Sequence, residues 1–435
     1  MAHQRTKLAI VGGGAAGLAA AVAASDRARE LGVPLDVTVY ERDDRVGRSI
    51  LATGNGRCNF SNEHIQLSEY RNEAFVAQAY SALEERFGNR CVMDFFENLG
   101  LEWRQEDDGR RYPLANKASV VLDVLRAAAG QAGVCEAVGV DVRQVRQPRG
   151  EGKPFTLHRA DNALERAEAV IVACGGRALD SLSVEGPQRL PLVPVLGPLR
   201  VSPADIPLVR ELDNIRIRCT VELSRLDGGA YRHVKSETGE LMFRKYGVSG
   251  ICVFNLSRFA QPGDTLQVNV LGNALPRDAR QINVLGNAQP GSAAEHLLAR
   301  RRILAERYGE GLTYAVLLRG LLLPRVSEAL LKHAGIDVDS AVAESDIPDL
   351  AQLLTQYPLE VAGMGDQDIC QVRRGGFTVE DVDAETMQVR GVPGLFLAGE
   401  ALDVDGPCGG YNLHWAWSSG ILAACNAVEL VGGTL

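Results

Sequence analysis

Gly12, Gly14 and Gly17 stand at the spacing G-x-G-x-x-G. They follow the apolar run "KLAIV", which suits a strand buried on both faces. An Ala/Leu-rich helical stretch follows to about Leu31. Next, "DVTVYE" reads as a second strand ending in Glu41. That strand–turn–helix–strand order, with an acid at the second strand's end, is the context in which a glycine motif binds a dinucleotide. Gly12 permits the tight turn, Gly14 leaves room for a pyrophosphate, and Gly17 lets helix and strand approach. The helix N-terminus offers free N–H groups and partial positive charge. Glu41 suits two ribose hydroxyls and repels a 2′-phosphate.

A second loop, "ATGNGRCNFSN" at 52–62, is rich in backbone donors and has no helix or strand pattern. A third, from Asp403 to Asn412, joins the strand-like "LFLAGE" to the helical "WAWSSGILAACNAV". A helix start preceded by such a loop suits an anionic or polar ligand. Between them lies a buried strand, Ala169–Ala173, that ends in Cys174-Gly175-Gly176. The preceding "VGVDVRQV" puts Val142 on an edge strand where its backbone meets an adenine. Several contact segments for one ligand suit a long flavin dinucleotide better than NAD, so FAD is the expected cofactor. No second G-x-G-x-x-G followed by a helix is present. Either NAD(P)H, the expected transient electron donor, docks in the same pocket in turn with the substrate, or the reductant is the substrate itself.

The same segments, "GGGAAGLAAA" at 12–21, "GNGRCNFSN" at 54–62, "CGG" at 174–176, "GELMFRKYGVSGICVFNLSR" at 239–258 and "GLFLAGEALDVDGPCGGYNLHWAWSSG" at 394–420, carry a resemblance. The chain resembles the aminoacetone-oxidase-like, NAD(P)/FAD-dependent oxidoreductases, a family that includes 3-dehydro-bile-acid reductases. The resemblance implies an α/β fold with a discontinuous, Rossmann-like FAD-binding domain at 1–190 and 360–435. It implies an inserted mostly-β substrate domain at 191–289 and 346–359, and a small helical domain at 290–345. "IRIRCTVEL" and "DTLQVNVLG" alternate as half-exposed strands should. The segment after Gly176 is shorter than the family's usual loop and helix. A short repeat, "VNVLGNA" at 268–274 and "INVLGNA" at 282–288, is assigned no chemistry.

The implied cofactor-binding set is Gly12, Gly14, Ala15, Ala16 and Gly17 in the first loop, with Glu41, Arg42, Arg48 and Ser49 beyond it. Thr53, Gly54, Asn55, Gly56, Cys58 and Asn59 come from the second loop. Val142, Cys174, Gly175 and Gly176 come from the middle segment. Gly399, Glu400, Asp405, Gly409, Gly410, Tyr411 and Asn412 come from the third loop. Tyr411, His414 and Arg57 are the candidate catalytic residues, as proton donors or holders of a substrate oxygen. Tyr246 and Arg244 are further residues for the substrate side. Cys58 lacks a partner cysteine at C-x-x-C spacing and reads as a small packed side chain. No metal site is expected.

The expected reaction is reduction of an activated C=C bond in a small apolar molecule, steroid- or bile-acid-like, driven by NAD(P)H. The alternatives are an amine or aminoketone oxidase using oxygen, and a non-catalytic FAD-binding protein. The 435 residues carry a net charge of −9, which argues against a nucleic-acid partner. The run Arg300-Arg301-Arg302 reads as a solvated helix face. No apolar stretch is long enough to span a bilayer, and nine unpaired cysteines suit a reducing cytoplasm. Oligomeric state is left open.

Overall fold

A computed structural model describes residues 5–150, 152–272 and 292–433. The chain divides into two units, 1–193 with 372–435 and 194–371.

The first unit is built on a five-stranded parallel sheet. Strand β1 (Thr6–Val11) lies at its centre, followed by helix α1 (Ala15–Leu31) and β2 (Leu35–Glu41). Helices α2 (Glu73–Phe87) and α3 (Ala118–Gln131) precede β3 (Cys135–Val138). Strand β4 (Ala169–Val172) comes next, and β5 (Leu395–Leu397) and helix α4 (Tyr411–Val431) complete the unit. The spatial order is β5-β4-β1-β2-β3. Leu8 to Val11 and all of β4 are buried, as a strand covered on both faces requires.

Helix α4 packs against α1 through small residues. A Cβ on Gly420 would lie 2.5 Å from the Ala16 carbonyl oxygen, so only glycine lets the two backbones come this close. Alanines at 19, 20, 21 and 24 of α1, and at 423, 424 and 427 of α4, are buried. This contact joins residues about four hundred positions apart in the chain, as the Arg27–Glu429 ion pair does at a separation of 402.

The second unit contains a closed six-stranded barrel. Its strands, in spatial order, are Leu199–Val201, Gly247–Ser249, Ala230–Arg244, Arg216–Asp227, Thr265–Asn269 and Tyr357–Met364. Every neighbouring pair is antiparallel. Alternating burial along Arg216–Asp227 follows the expected half-exposed pattern. The barrel runs on to Met364, beyond the 346–359 limit read from sequence. The helices expected to form a separate domain at 290–345 share one core with it: Leu297, Leu317 and Leu330 pack in the same cluster as Val221, Leu266 and Leu359.

Arg300 and Arg301 are not merely solvated. The Arg300 guanidinium donates to the Leu317 carbonyl at 2.7 Å, and Arg301 donates to the Val342 carbonyl at 2.9 Å. The apparent basic run thus ties its helix (Ala293–Tyr308) to the neighbouring segments. Most of the internal repeat, including all of 282–288, lies outside the described residues. Among those described, no helix is long and apolar enough to cross a membrane.

Candidate functional site

Glycines allow close backbone approaches in the first unit. Gly12 has φ +109°, and a Cβ there would lie 2.4 Å from the Cys174 Cα. A Cβ on Gly17 would lie 1.9 Å from the Gly12 carbonyl oxygen. Gly14 is the N-cap of the 17-residue α1, whose first turn holds no acidic residue and no side-chain cap. The amides at Gly14, Ala15 and Ala16 therefore keep their donors for a ligand. Ser49 places its hydroxyl beside Gly14, 3.1 Å from where a Cβ would stand. This is a cradle that a Cβ would close, and it fits a pyrophosphate.

Glu41 ends β2 beside that cradle. Its carboxylate accepts from the Gly13 N–H and from the Asp43 N–H, both at 2.9 Å. These bonds fix its direction and leave lone pairs for ribose hydroxyls. The segment leading to Val142 runs alongside: the Val140 N–H donates to the Glu41 carbonyl at 2.9 Å, and the Gly139 N–H to the Asp43 carbonyl at 2.7 Å. Val142 is buried at the start of its strand. Arg42 is exposed, and Arg48 lies between Asp43 and Asp44. Gly175 has φ +68°, and Gly176 backs onto Glu400 and Arg373.

The second and third loops are stitched together. Gly54 and Asn55 both adopt φ +56°, so the chain turns through the left-handed region here. Thr53 donates its hydroxyl to the Ile50 carbonyl at 2.7 Å. In its hydrogen-bonded orientation the Asn59 amide donates to the Arg111 and Ser61 carbonyls and accepts from the Gly410 N–H at 3.0 Å. The Asn62 amide donates to the Gly409 carbonyl at 2.9 Å. Gly410 has φ +99°, and a Cβ there would lie 2.5 Å from the Ser61 carbonyl oxygen. From α4, the Trp417 indole donates to the Phe60 carbonyl at 3.0 Å.

Two buried acids brace the third loop. Asp405, with no side-chain exposure, receives both arms of the Arg374 guanidinium at 2.9 and 3.0 Å. Asp403 receives Arg71 at 2.9 Å and the Gly375 N–H at 2.9 Å. The Asn412 amide closes on Gly406, donating to its carbonyl at 2.9 Å and accepting from its N–H at 2.8 Å. Asp405 and Asn412 thus shape the loop from within. Gly409 and Gly410 are half-buried, and their backbone is what the loop presents.

The candidate proton donors differ in their freedom. The Tyr411 hydroxyl accepts from the Gln66 N–H at 3.2 Å and donates to the His64 carbonyl at 3.1 Å. Its only proton is therefore engaged by backbone. Arg57 lies 4.7 Å from the Tyr112 ring centroid, donates to the Gly54 carbonyl at 3.3 Å and faces Glu106 at 3.7 Å. His414 stacks on Tyr80 at 5.6 Å and 11° between ring planes, with Nδ1 2.9 Å from the Ser61 hydroxyl. Burial, then the charge of Arg111, lowers the imidazole to about 4, so it is neutral near pH 7. Burial raises the Cys58 thiol to about 12, which keeps it protonated.

Glu400 is the most perturbed acid here. Burial raises it from 4.5 to about 7, although the Arg373 N–H donates to it at 2.8 Å. A carboxyl raised in this way takes up a proton on folding. Its contribution to stability is full below its ordinary value and is lost as pH rises through about 7. Glu400→Gln removes that loss. The melting temperature of the flavin-free variant should fall less than the wild type's between about pH 5 and about pH 8. Equal slopes would contradict the raised value.

Arg71, Arg374, Ser61, Tyr80 and Tyr112 went unread in the sequence. For the two arginines a signal existed: Asp403 and Asp405 in an apolar, glycine-rich loop require cationic partners.

A family model described as HI0933-like protein Rossmann domain matches residues 6–426. A 3-dehydro-bile acid delta(4,6)-reductase of Clostridium scindens is 32% identical over 97% of this chain and 99% of its own length. A ribosomal RNA dihydrouridine synthase of Escherichia coli is 26% identical over 96% of both chains. Among solved structures, the 3-ketosteroid delta1-dehydrogenase of Sterolibacterium denitrificans is similar at 12% identity and a TM-score of 0.45. That match covers 98% of this chain and all of the other. The match across nearly the whole sequence establishes that the chain belongs to the HI0933-like Rossmann-domain family.

Proposed function

We propose that the chain is an NAD(P)H-driven, FAD-dependent reductase of an activated C=C bond in a steroid- or bile-acid-like molecule. The observation that carries this reading is the 32% identity, end to end, to a reductase acting on 3-dehydro-bile acids. FAD, when bound, supplies the two-electron exchange between nicotinamide and substrate.

The chain's own residues would hold and tune that cofactor. The α1 amides at Gly14 to Ala16 take the pyrophosphate, and Glu41 takes the adenosine ribose. The uncapped N-terminus of α4, at Gly410, stabilises negative charge near it. Loop 54–56 offers backbone amides in a fixed turn. His414, neutral and half-buried, is a hydrogen-bond donor for a ketone oxygen conjugated to the C=C bond. Drawing electron density toward that oxygen makes the β-carbon a better hydride acceptor. Tyr411, with its proton committed, orders the loop instead.

The relatives named for ribosomal RNA are less similar, at 25% and 26%, and the charge of −9 disfavours a polyanion. The test is anaerobic titration of the yellow protein with NADH and NADPH, followed by a 3-oxo-Δ4 steroid, an rRNA fragment, or air. Bleaching by a nicotinamide, with colour restored faster by the steroid than by air or RNA, is the expected result. Colour restored only by RNA would transfer the reading to RNA modification. Bleaching by an amine, with rapid recovery in air, would make the protein an oxidase. A yellow protein that no nicotinamide or amine bleaches would have no turnover of this kind.

A further inference from the structure

Buried Ser61 and half-buried His414 form a pair whose geometry decides which imidazole nitrogen carries the proton. Ser61 has no solvent exposure. Its hydroxyl lies 2.9 Å from His414 Nδ1, its one hydrogen-bond partner among the described residues. Two arrangements fit that distance. If Nδ1 carried the proton, the Ser61 oxygen would accept it, and the hydroxyl's own hydrogen would be buried with no acceptor. If the hydroxyl donates to a bare Nδ1, only lone pairs go unused. Stranding a buried donor is the costlier of the two.

The surroundings favour the same arrangement. The Tyr80 ring from α2 lies flat against the imidazole. Its hydroxyl is 3.5 Å from that of Tyr70. The charged group acting on the ring is Arg111, from the strand Arg110–Pro113. A neighbouring cation opposes a second proton on the imidazole. Arg111 is itself paired with Glu63. The Ser61 backbone is fixed as well: its carbonyl accepts from the Asn59 amide at 2.9 Å and sits under Gly410.

We infer that Ser61 is a positioning residue, donating to His414 Nδ1 and so holding the proton on Nε2, where a neutral imidazole can donate it to a substrate's ketone oxygen. The last step rests on the reductase reading above; the tautomer does not. Among the described residues Nε2 has no hydrogen-bond partner, which leaves it available. On that reading, the C=C bond of the substrate is conjugated to a hydrogen-bond acceptor that is polarised by a neutral donor and not by an imidazolium acid.

The test is the 15N spectrum of histidine-labelled full-length protein. The His414 signal is assigned by its absence in His414→Gln. The wild type should show the Nε2–H form from about pH 5.5 to about pH 8. Ser61→Ala should show a mixture of tautomers, and Ser61→Thr should restore the single form. Turnover of the steroid enone should fall about tenfold in kcat in Ser61→Ala, with KM little changed, and recover in Ser61→Thr. An Nδ1–H form in the wild type, or an imidazolium titrating near pH 6.5, would overturn the inference even if flavin reduction proceeds. An Nε2–H form in a protein that reduces no enone would leave Ser61's role standing and refute the reductase reading alone.

Discussion

Gly17→Ala should leave the purification column nearly colourless. A Cβ at this position would lie 1.9 Å from the Gly12 carbonyl oxygen. Gly12 is itself hemmed in by backbone: a Cβ added there would lie 2.4 Å from the Cys174 Cα and 2.6 Å from the Ala173 carbonyl oxygen. Backbone faces backbone on both sides, so helix α1 must back away and carry its N-terminal amides with it. Overpacking of this kind costs about 1–3 kcal/mol or more. If that whole cost falls on the cofactor-bound state, FAD retention weakens about 5- to 150-fold. Gly32→Ala is the control. It lies in the left-handed region at the other end of α1, φ +66°, with nothing within 4 Å of a new Cβ. It should cost stability and keep its colour. The readout is the ratio of flavin to protein absorbance, and a fully yellow Gly17→Ala protein would refute the placement of the pyrophosphate.

Arg374→Ala is the second large effect. It removes two charge-assisted hydrogen bonds from a carboxylate with no solvent exposure. Breaking a buried ion pair from one side costs about 3–5 kcal/mol, because the remaining charge keeps its desolvation penalty. For a unit of this size that corresponds to a melting temperature lower by roughly 6–20 °C. Arg374→Ala combined with Asp405→Asn should recover part of the loss, since the buried side chain no longer carries a charge. Arg71→Ala should cost less, because Arg71 retains 40% side-chain exposure and the Gly375 N–H still serves Asp403. Thermal unfolding of the four proteins ranks these effects. An Arg374→Ala protein as stable as the wild type would show that Arg374 does little for this loop.

The parts of the site that the sequence exposes are those whose physics is local. Gly12, Gly14, Gly17 and Glu41 are legible because one strand, one turn and one helix fix their spacing. The alternation in Arg216–Asp227 is legible because a half-buried strand repeats every two residues. That the helices of 293–333 share the barrel's core could not be read, since their apolar faces show that they pack but not against what. The Ser61–His414 bond joins positions 353 apart and leaves no periodic trace in either segment. The Tyr411 hydroxyl offered two uses, and only the positions of the Gln66 N–H and the His64 carbonyl decide between them. Arg300 and Arg301 misled for a related reason. A run of like charges normally faces water, and the carbonyls that accept from these two lie on other segments.

The contact between α1 and α4 sets an order of events during synthesis. Gly420 must close on Ala16, and β5 must complete the sheet beside β4. At about 5–20 residues per second, a ribosome needs roughly 20–80 s to make the 402 positions that separate Arg27 from Glu429. For that whole interval the alanine-rich face of α1 lacks its cover. The barrel's segment, 194–371, is translated in full before that cover exists. The nascent nucleotide-binding unit therefore waits unfinished while a second unit is made inside it, and cofactor capture belongs to the end of synthesis.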